Sequence, residues 1–229
     1  MKCALFWSGG KDSLLALDRA RRCGLDVRAL ANIYEGNTGR VRFHGVRKEM
    51  IAAQAEALGL ELLQDHTHPR NFEQTFQSLL VTLKASGFGG IVFGNIHLAD
   101  IRAWYEERTR ALGFEHVEPL WGCEPASLLR EFIARGHLAR IVSVNLACGR
   151  REWIGRDFSE AFAAELERTP GVDACGERGE YHSFAYGGPL FRKPLALEEQ
   201  PAPETLEIEN HLVLDIQLAG ETASAESTF

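Results

Sequence analysis

At 229 residues the chain is long enough for one or two domains, with a core that needs neither disulfides nor metal. Asp and Glu (32) outnumber Lys and Arg (25), and the net charge of −7 argues against a general nucleic-acid binder; 20 of the 25 cations are Arg, suited to local bidentate contacts with phosphate or carboxylate. No apolar run approaches a membrane span, the first apolar run is too short for a signal peptide, and five scattered cysteines without a C-x-x-C pair read as reduced, cytoplasmic thiols.

In chain order, Cys3 to Trp7 is a continuous apolar run, the pattern of a strand buried on both faces. A helix follows the glycines, its apolar face begun by Leu14, Leu15 and Leu17. Val27 to Tyr34 reads as a second strand, and Val46 to Leu58 as a helix stopped by Gly59. Leu60 to Gln64 is a third strand. Asn71 to Ala85 is a third helix, with Phe72, Phe76, Leu79, Leu80 and Leu83 forming a core stripe. Gly90 to Ile96 and Ala99 to Leu112 add a fourth strand and a fourth helix. Strands alternating with helices of this length predict right-handed crossovers and a parallel sheet.

After Gly113 the texture changes, and Pro119-Leu120-Trp121-Gly122 reads as a linker or domain start. Helices are expected over Pro125–Arg135 and Phe158–Arg168, and a strand over Ala139–Leu146. The glycine-rich stretch 171–191 reads as a functional loop with a short strand from Tyr181 to Tyr186. One or two strands follow within Leu206–Leu218, and the tail from Gly220 reads as disordered. The expected organisation is a nucleotide-binding domain over 1–115, a smaller α/β acceptor domain over 116–219, and a tail over 220–229.

The chemistry concentrates at Ser8-Gly9-Gly10-Lys11-Asp12-Ser13, between the first strand and the first helix. Two glycines allow a tight turn and a close approach to an anion, and the helix N-terminus supplies unpaired N–H groups and partial positive charge. Ser8 and Ser13 add hydroxyls, and Lys11 adds a point charge. Asp12 suits a helix cap or a Mg²⁺ ion bridging to phosphates. The spacings of the Walker A loop and of the dinucleotide loop are both absent.

Ser8 to Ser13 resembles the PP-loop of the ATP pyrophosphatases. Three further stretches are similar to the diphthine–ammonia ligase-like branch of that superfamily. They are Phe93-Gly94-Asn95-Ile96-His97 with Arg102-Ala103-Trp104, Pro119-Leu120-Trp121-Gly122 with Leu128 and Leu129, and Gly176 to Phe184 with Gly188-Pro189-Leu190-Phe191. The resemblance spans about residues 2–191. It implies a Rossmann-like (HUP-type) parallel sheet with helices on both faces, and ATP and Mg²⁺ at the loop. It also implies adenylation of a carboxylate with loss of pyrophosphate, then attack by ammonia to give an amide and AMP. The implied partners are ammonia and a carboxylate-bearing acceptor, either elongation factor 2 carrying diphthine or a small molecule. No general nucleic-acid or membrane partner is expected, and self-association as a homodimer is compatible with it.

Two stretches depart from the family pattern. Asn95 stands where the family commonly has Asp, and His182-Ser183 replaces Glu-Thr in a form that looks more like bacterial relatives, some of them tied to cobalamin-related amide chemistry. The resemblance places Ser8, Gly9, Gly10, Lys11, Asp12, Ser13, Asn32, Tyr34, Gly94, Asn95 and His97 at the nucleotide. It gives catalytic roles to Lys11, Asp12, Glu177, Glu180 and His182, with the two glutamates holding ammonium or taking its proton. His182 is balanced between a base and a satisfied strand residue, and Asp100 between a site role and a helix cap. His66-Thr67-His68 lacks a third metal ligand and reads as loop. Arg47 and the Arg150, Arg151 and Arg156 cluster read as surface charge. Two other classes stay open: a tRNA-modifying PP-loop enzyme, which the acidic balance and missing C-x-x-C disfavour, and a nucleotide-binding sensor, which has no use for a carboxylate-rich second loop.

Overall fold

A computed structural model describes residues 1–68, 70–198, 205–208 and 210–220. The first half alternates β1 (Lys2–Phe6), α1 (Lys11–Arg22), β2 (Asp26–Glu35), α2 (Lys48–Leu58), β3 (Glu61–Thr67), α3 (Phe72–Ala85), β4 (Gly90–Val92), α4 (Ala99–Ala111) and β5 (Glu115–Val117). The five strands form one parallel sheet in the order β3-β2-β1-β4-β5. The chain winds outward from β1 to β3 and then returns to the other side of β1. The reversal leaves a crevice beyond the carboxyl ends of β1 and β4, where open α/β sheets bind ligands.

Central strands carry small and apolar residues because both faces are covered. Leu5 and Leu30 pack with α1 and α2 on one face, while Ala4, Ala29, Ala31 and Ile91 pack with α3 on the other. Phe76, Leu79, Leu80 and Leu83 of the expected α3 stripe are buried, while Phe72 at its start is only partly buried and lines a cavity. Gly59 ends α2 with φ +66°, a left-handed turn that a side chain would strain.

Two differences from the sequence-based expectation have physical reasons. The fourth strand ends at Val92, because the backbone after Phe93 leaves the sheet to press Gly94 against the start of α1. The fifth strand was not expected: it is three residues long and carries Glu115 and His116, so no apolar run marks it.

The second half begins with a turn at Pro119–Gly122, followed by α5 (Pro125–Ala134), β6 (Leu138–Asn145), α6 (Glu160–Arg168) and β7 (Tyr181–Gly187). Short strands β8 (Leu197–Glu198), β9 (Thr205–Ile208), β10 (His211–Leu214) and β11 (Gln217–Leu218) complete the chain. β7, β6, β10 and β9 form an antiparallel sheet in that order, and β8 pairs with β11. One apolar core runs through both halves, from Leu14 and Leu17 of α1 to Leu128, Phe132, Trp153, Phe162 and Phe184. The tail expectation falls on residues 221–229, outside the described residues. Among the described residues no helix is long and apolar enough to cross a membrane.

Candidate active site

The chain leaves β1 through Trp7 and turns at Ser8, Gly9 and Gly10 into α1. Gly9 has φ +87°, and a Cβ there would lie 2.6 Å from the Ile51 side chain. Glycine is required on both counts. Ser8 Oγ and Ser13 Oγ lie 2.9 Å apart, and the Ser8 N–H donates to Ser13 Oγ at 3.2 Å, so the two hydroxyls close the loop from inside.

The loop is also fixed from outside. The Gln54 side chain, wholly buried, donates to Gly9 O at 2.9 Å and Ala185 O at 2.6 Å, and accepts the Trp7 indole N–H at 2.7 Å. The Ala185 N–H donates to Gly9 O at 2.8 Å. Ser183 Oγ accepts the Lys11 N–H at 3.1 Å, occupying one of the N–H groups a helix start leaves without an internal partner. Strand β7 of the second half therefore lies directly on the Ser8–Ser13 loop.

Above these residues opens a cavity of about 430 Å³. One part of its wall is polar, with Ser8, Lys11, Asp12, Ser13, Asn95 and Glu177. Another is apolar and aromatic, with Phe6, Ile33, Phe72, Phe93 and Tyr105. Gly94 also lines the cavity. A Cβ there would lie 3.1–3.2 Å from the Asp12 carbonyl group and the Ser13 N, so only glycine lets the segment after β4 approach the loop this closely.

Lys11 is buried, and its ammonium bonds both Asp12 carboxylate oxygens, at 3.0 and 2.8 Å, as well as the Cys175 carbonyl. Burial is the largest influence and works against the charge, but Asp12 together with Tyr181 and Cys175 raises the Lys11 pKa well above the ordinary lysine range. Lys11 thereby latches the 171–180 loop onto the start of α1. Glu177 reaches the same cavity, and its Oε1 accepts the Ile96 N–H at 3.0 Å. Burial, reinforced by the Asp12 charge, pushes its pKa up to about 7. A carboxylate poised there can accept and release a proton near neutrality.

Other residues expected at the site act at one remove. His97 bonds Asp173 Oδ2 at 2.6 Å, Asp173 Oδ1 accepts the Cys175 N–H at 2.8 Å, and the Asp173 N–H donates to Glu180 Oε1 at 2.7 Å. This chain of bonds pins the loop that carries Glu177. Neither His97 nor Glu180 lines the cavity. Glu180 Oε2 is buried and has no partner among the described residues. Asn32 lines the cavity, while its amide donates to Trp7 O at 2.8 Å, tying β2 to the end of β1. Asn95 also lines it and donates to Glu118 Oε1 at 2.7 Å; an Asp there would set two carboxylates against each other. Tyr34 lies outside the cavity, under the Lys48 ammonium.

His182 lines the cavity in a group of rings with His44 (centroids 4.8 Å apart), Phe43 (5.9 Å) and His211 (6.1 Å). Burial, with His44, His211 and Lys11 nearby, holds its pKa well below the ordinary histidine range, so it is neutral at physiological pH. Sequence reasoning missed Gln54, Asp173 and His44 as site-building residues. Their signal is spatial: each bonds a partner more than forty positions away.

Among the described residues no three His, Cys, Asp or Glu side chains gather into a metal site. Asp12 alone, on the cavity wall and partly exposed, fits the ligand set of a magnesium ion that takes most of its oxygens from phosphates and water. Arg47 is paired with Asp215 and Arg156 with Glu165, so both are committed to structure.

Known proteins resemble this chain along both halves. The family model for the diphthamide synthase N-terminal domain matches residues 1–116, and that for the diphthamide synthase C-terminal domain matches residues 124–218. The human diphthine–ammonia ligase is 28% identical over 222 residues, covering 86% of this chain and 83% of the human protein. The zebrafish (Danio rerio) diphthine–ammonia ligase is 26% identical over 215 residues, covering 83% of this chain and 84% of its own. The Schizosaccharomyces pombe diphthine–ammonia ligase is 24% identical over 225 residues, which make up 37% of that longer protein. With both halves matched in order, and the first match alone spanning more than half of the 229 residues, this chain belongs to the diphthamide synthase family.

Proposed function

We propose that the protein is an ATP-dependent, amide-forming ammonia ligase that adenylates a carboxylate, releases pyrophosphate, and transfers the acyl group to ammonia with loss of AMP. The observation that carries this reading is one cavity holding both the Ser8–Ser13 loop and Glu177. A phosphate cradle and a carboxylate of pKa about 7 are the two parts such a reaction needs.

In this reading the Ser8–Ser13 backbone and hydroxyls, with Lys11, hold the phosphates of ATP. Asp12 holds Mg²⁺, which neutralises phosphate charge when bound. Gly94 and Asn95 flank the nucleotide. Glu177 binds the incoming ammonium and takes its proton. Glu180 and His97 position the loop, and neutral His182 offers the acceptor a hydrogen bond. Residues 1–115 act as the nucleotide domain and 116–219 as the acceptor domain. The reduced-thiol reading of the cysteines supports a cytoplasmic setting.

The acceptor is a carboxylic acid. The name of the human relative, diphthine–ammonia ligase, makes diphthine the first acceptor to test. His182 in place of the family's Glu makes a small carboxylic acid of bacterial metabolism the second. The test is product analysis with Mg-ATP, ammonium and each acceptor in turn. AMP and pyrophosphate that form with one acceptor only support the reading, and ADP and phosphate overturn it.

A further inference from the structure

We propose that His44 is a ligand-contacting residue of this cavity, its unprotonated Nε2 accepting an N–H or O–H from a bound substrate. The proposal rests on the ligase reading above, in which the donors on offer are ammonium and the hydroxyl or amino groups of the nucleotide.

The tautomer follows from the geometry. His44 Nδ1 lies 3.0 Å from Ser183 O, and a carbonyl oxygen can only accept, so the ring carries its proton on Nδ1. Nε2 is therefore a bare lone pair. It has no protein partner among the described residues and is not sealed from solvent, and the half-buried ring lines the cavity. The ring edge sits beside the loop, since a Cβ on Gly10 would lie 2.9 Å from His44 Cε1. Burial pushes the His44 pKa down to about 4, which keeps the lone pair free at neutral pH. A lone pair repels phosphate oxygens, so the group it faces must bring its own hydrogen.

The segment that carries His44 is built to aim it. The His44 N–H donates to Arg42 O at 2.8 Å across Phe43, which adopts φ +64°, a conformation costly for a bulky residue. Arg40 Nη1 bonds Asp215 Oδ1 at 3.0 Å, and Arg47 reaches both oxygens of the same carboxylate at 3.0 and 2.5 Å. Val213 packs so closely on Gly45 that a Cβ would collide with it. Strand β10 and the Asp215 that follows it thus clamp a strained turn that places one neutral imidazole beside the Ser8–Ser13 loop.

Two substitutions separate ligand contact from support of Ser183. His44→Asn keeps a donor near the Nδ1 position and removes Nε2. His44→Gln keeps a polar group near Nε2 and loses the Ser183 bond. Long-range ¹H–¹⁵N spectra of ¹⁵N-histidine-labelled protein, assigned with His44→Asn, should report a bare Nε2 on the free protein. That resonance should shift towards lower frequency when Mg-ATP or ammonium chloride is added. The probe that moves it names the donor, and affinity for that probe should fall about tenfold or more in His44→Asn and less in His44→Gln.

A proton on Nε2, a resonance unmoved by either probe, or a loss in His44→Gln equal to or greater than that in His44→Asn would overturn the proposal. Phosphorus signals of Mg-ATP in the same tube report on the ligase reading separately. If they do not change while ammonium moves Nε2, the nucleotide reading fails and the His44 assignment stands.

Discussion

The Ser183 hydroxyl accepts the backbone N–H of Lys11, 172 positions earlier in the chain, at 3.1 Å. That bond fastens a strand of the second half to the first turn of α1. With the Gln54 bridge between Gly9 O and Ala185 O, it makes the Ser8–Ser13 loop a shared product of both halves.

Lys11→Ala is expected to lower ATP-dependent pyrophosphate release at least tenfold, equivalent to about 1.4 kcal/mol of transition-state stabilisation. The substitution removes a cation from the cradle and unlatches the loop carrying Glu177 from α1. Turnover equal to that of the parent protein would contradict the role given to Lys11.

Gly94→Ala tests how closely the segment after β4 must approach the loop. The added Cβ would face backbone atoms of Asp12 and Ser13 at 3.1–3.2 Å, and these cannot swing aside as a side chain can. The expected cost is about 1–3 kcal/mol of stability, with weaker nucleotide binding. Thermal unfolding with a nucleotide titration checks both, and an unchanged midpoint with unchanged affinity refutes the packing argument.

Gln54→Leu leaves the buried Trp7 indole N–H without its acceptor and removes two donations to the loop and β7. A loss of about 1–3 kcal/mol in urea unfolding is expected. A larger fractional loss of nucleotide affinity than of stability would place the effect on loop geometry.

Glu177 sets a pH dependence whose sign follows from its raised pKa. Burial disfavours its charge, so the carboxylate weakens the fold as pH rises from about 4.5 towards about 7. Glu177→Gln should therefore be more stable than the parent at pH 8, with the difference gone below pH 4.5. Amide formation should rise through pH 7 in the parent, and that step should vanish in the variant. A variant that keeps the step excludes Glu177 as its source.

The parts of this architecture that announce themselves are local. The stripe of Phe76, Leu79, Leu80 and Leu83 recurs with helical period, and Cys3 to Phe6 is apolar throughout because both of its faces are covered. β5 carries no such mark, since its three residues include Glu115 and His116. The site divides in the same way. Ser8 to Ser13 is legible because glycines, hydroxyls and a cation sit together in sequence. His44, Gln54 and Asp173 become site residues only through partners at Ser183, Ala185 and His97, which no periodicity brings near them.

The most direct test of the central claim is phosphorus NMR of Mg-ATP with the protein, ammonium chloride and a panel of carboxylic acids that includes diphthine on elongation factor 2. The account predicts AMP and pyrophosphate in equal amounts, formed only when one acceptor and ammonium are both present. ADP and inorganic phosphate from the same mixture would contradict it.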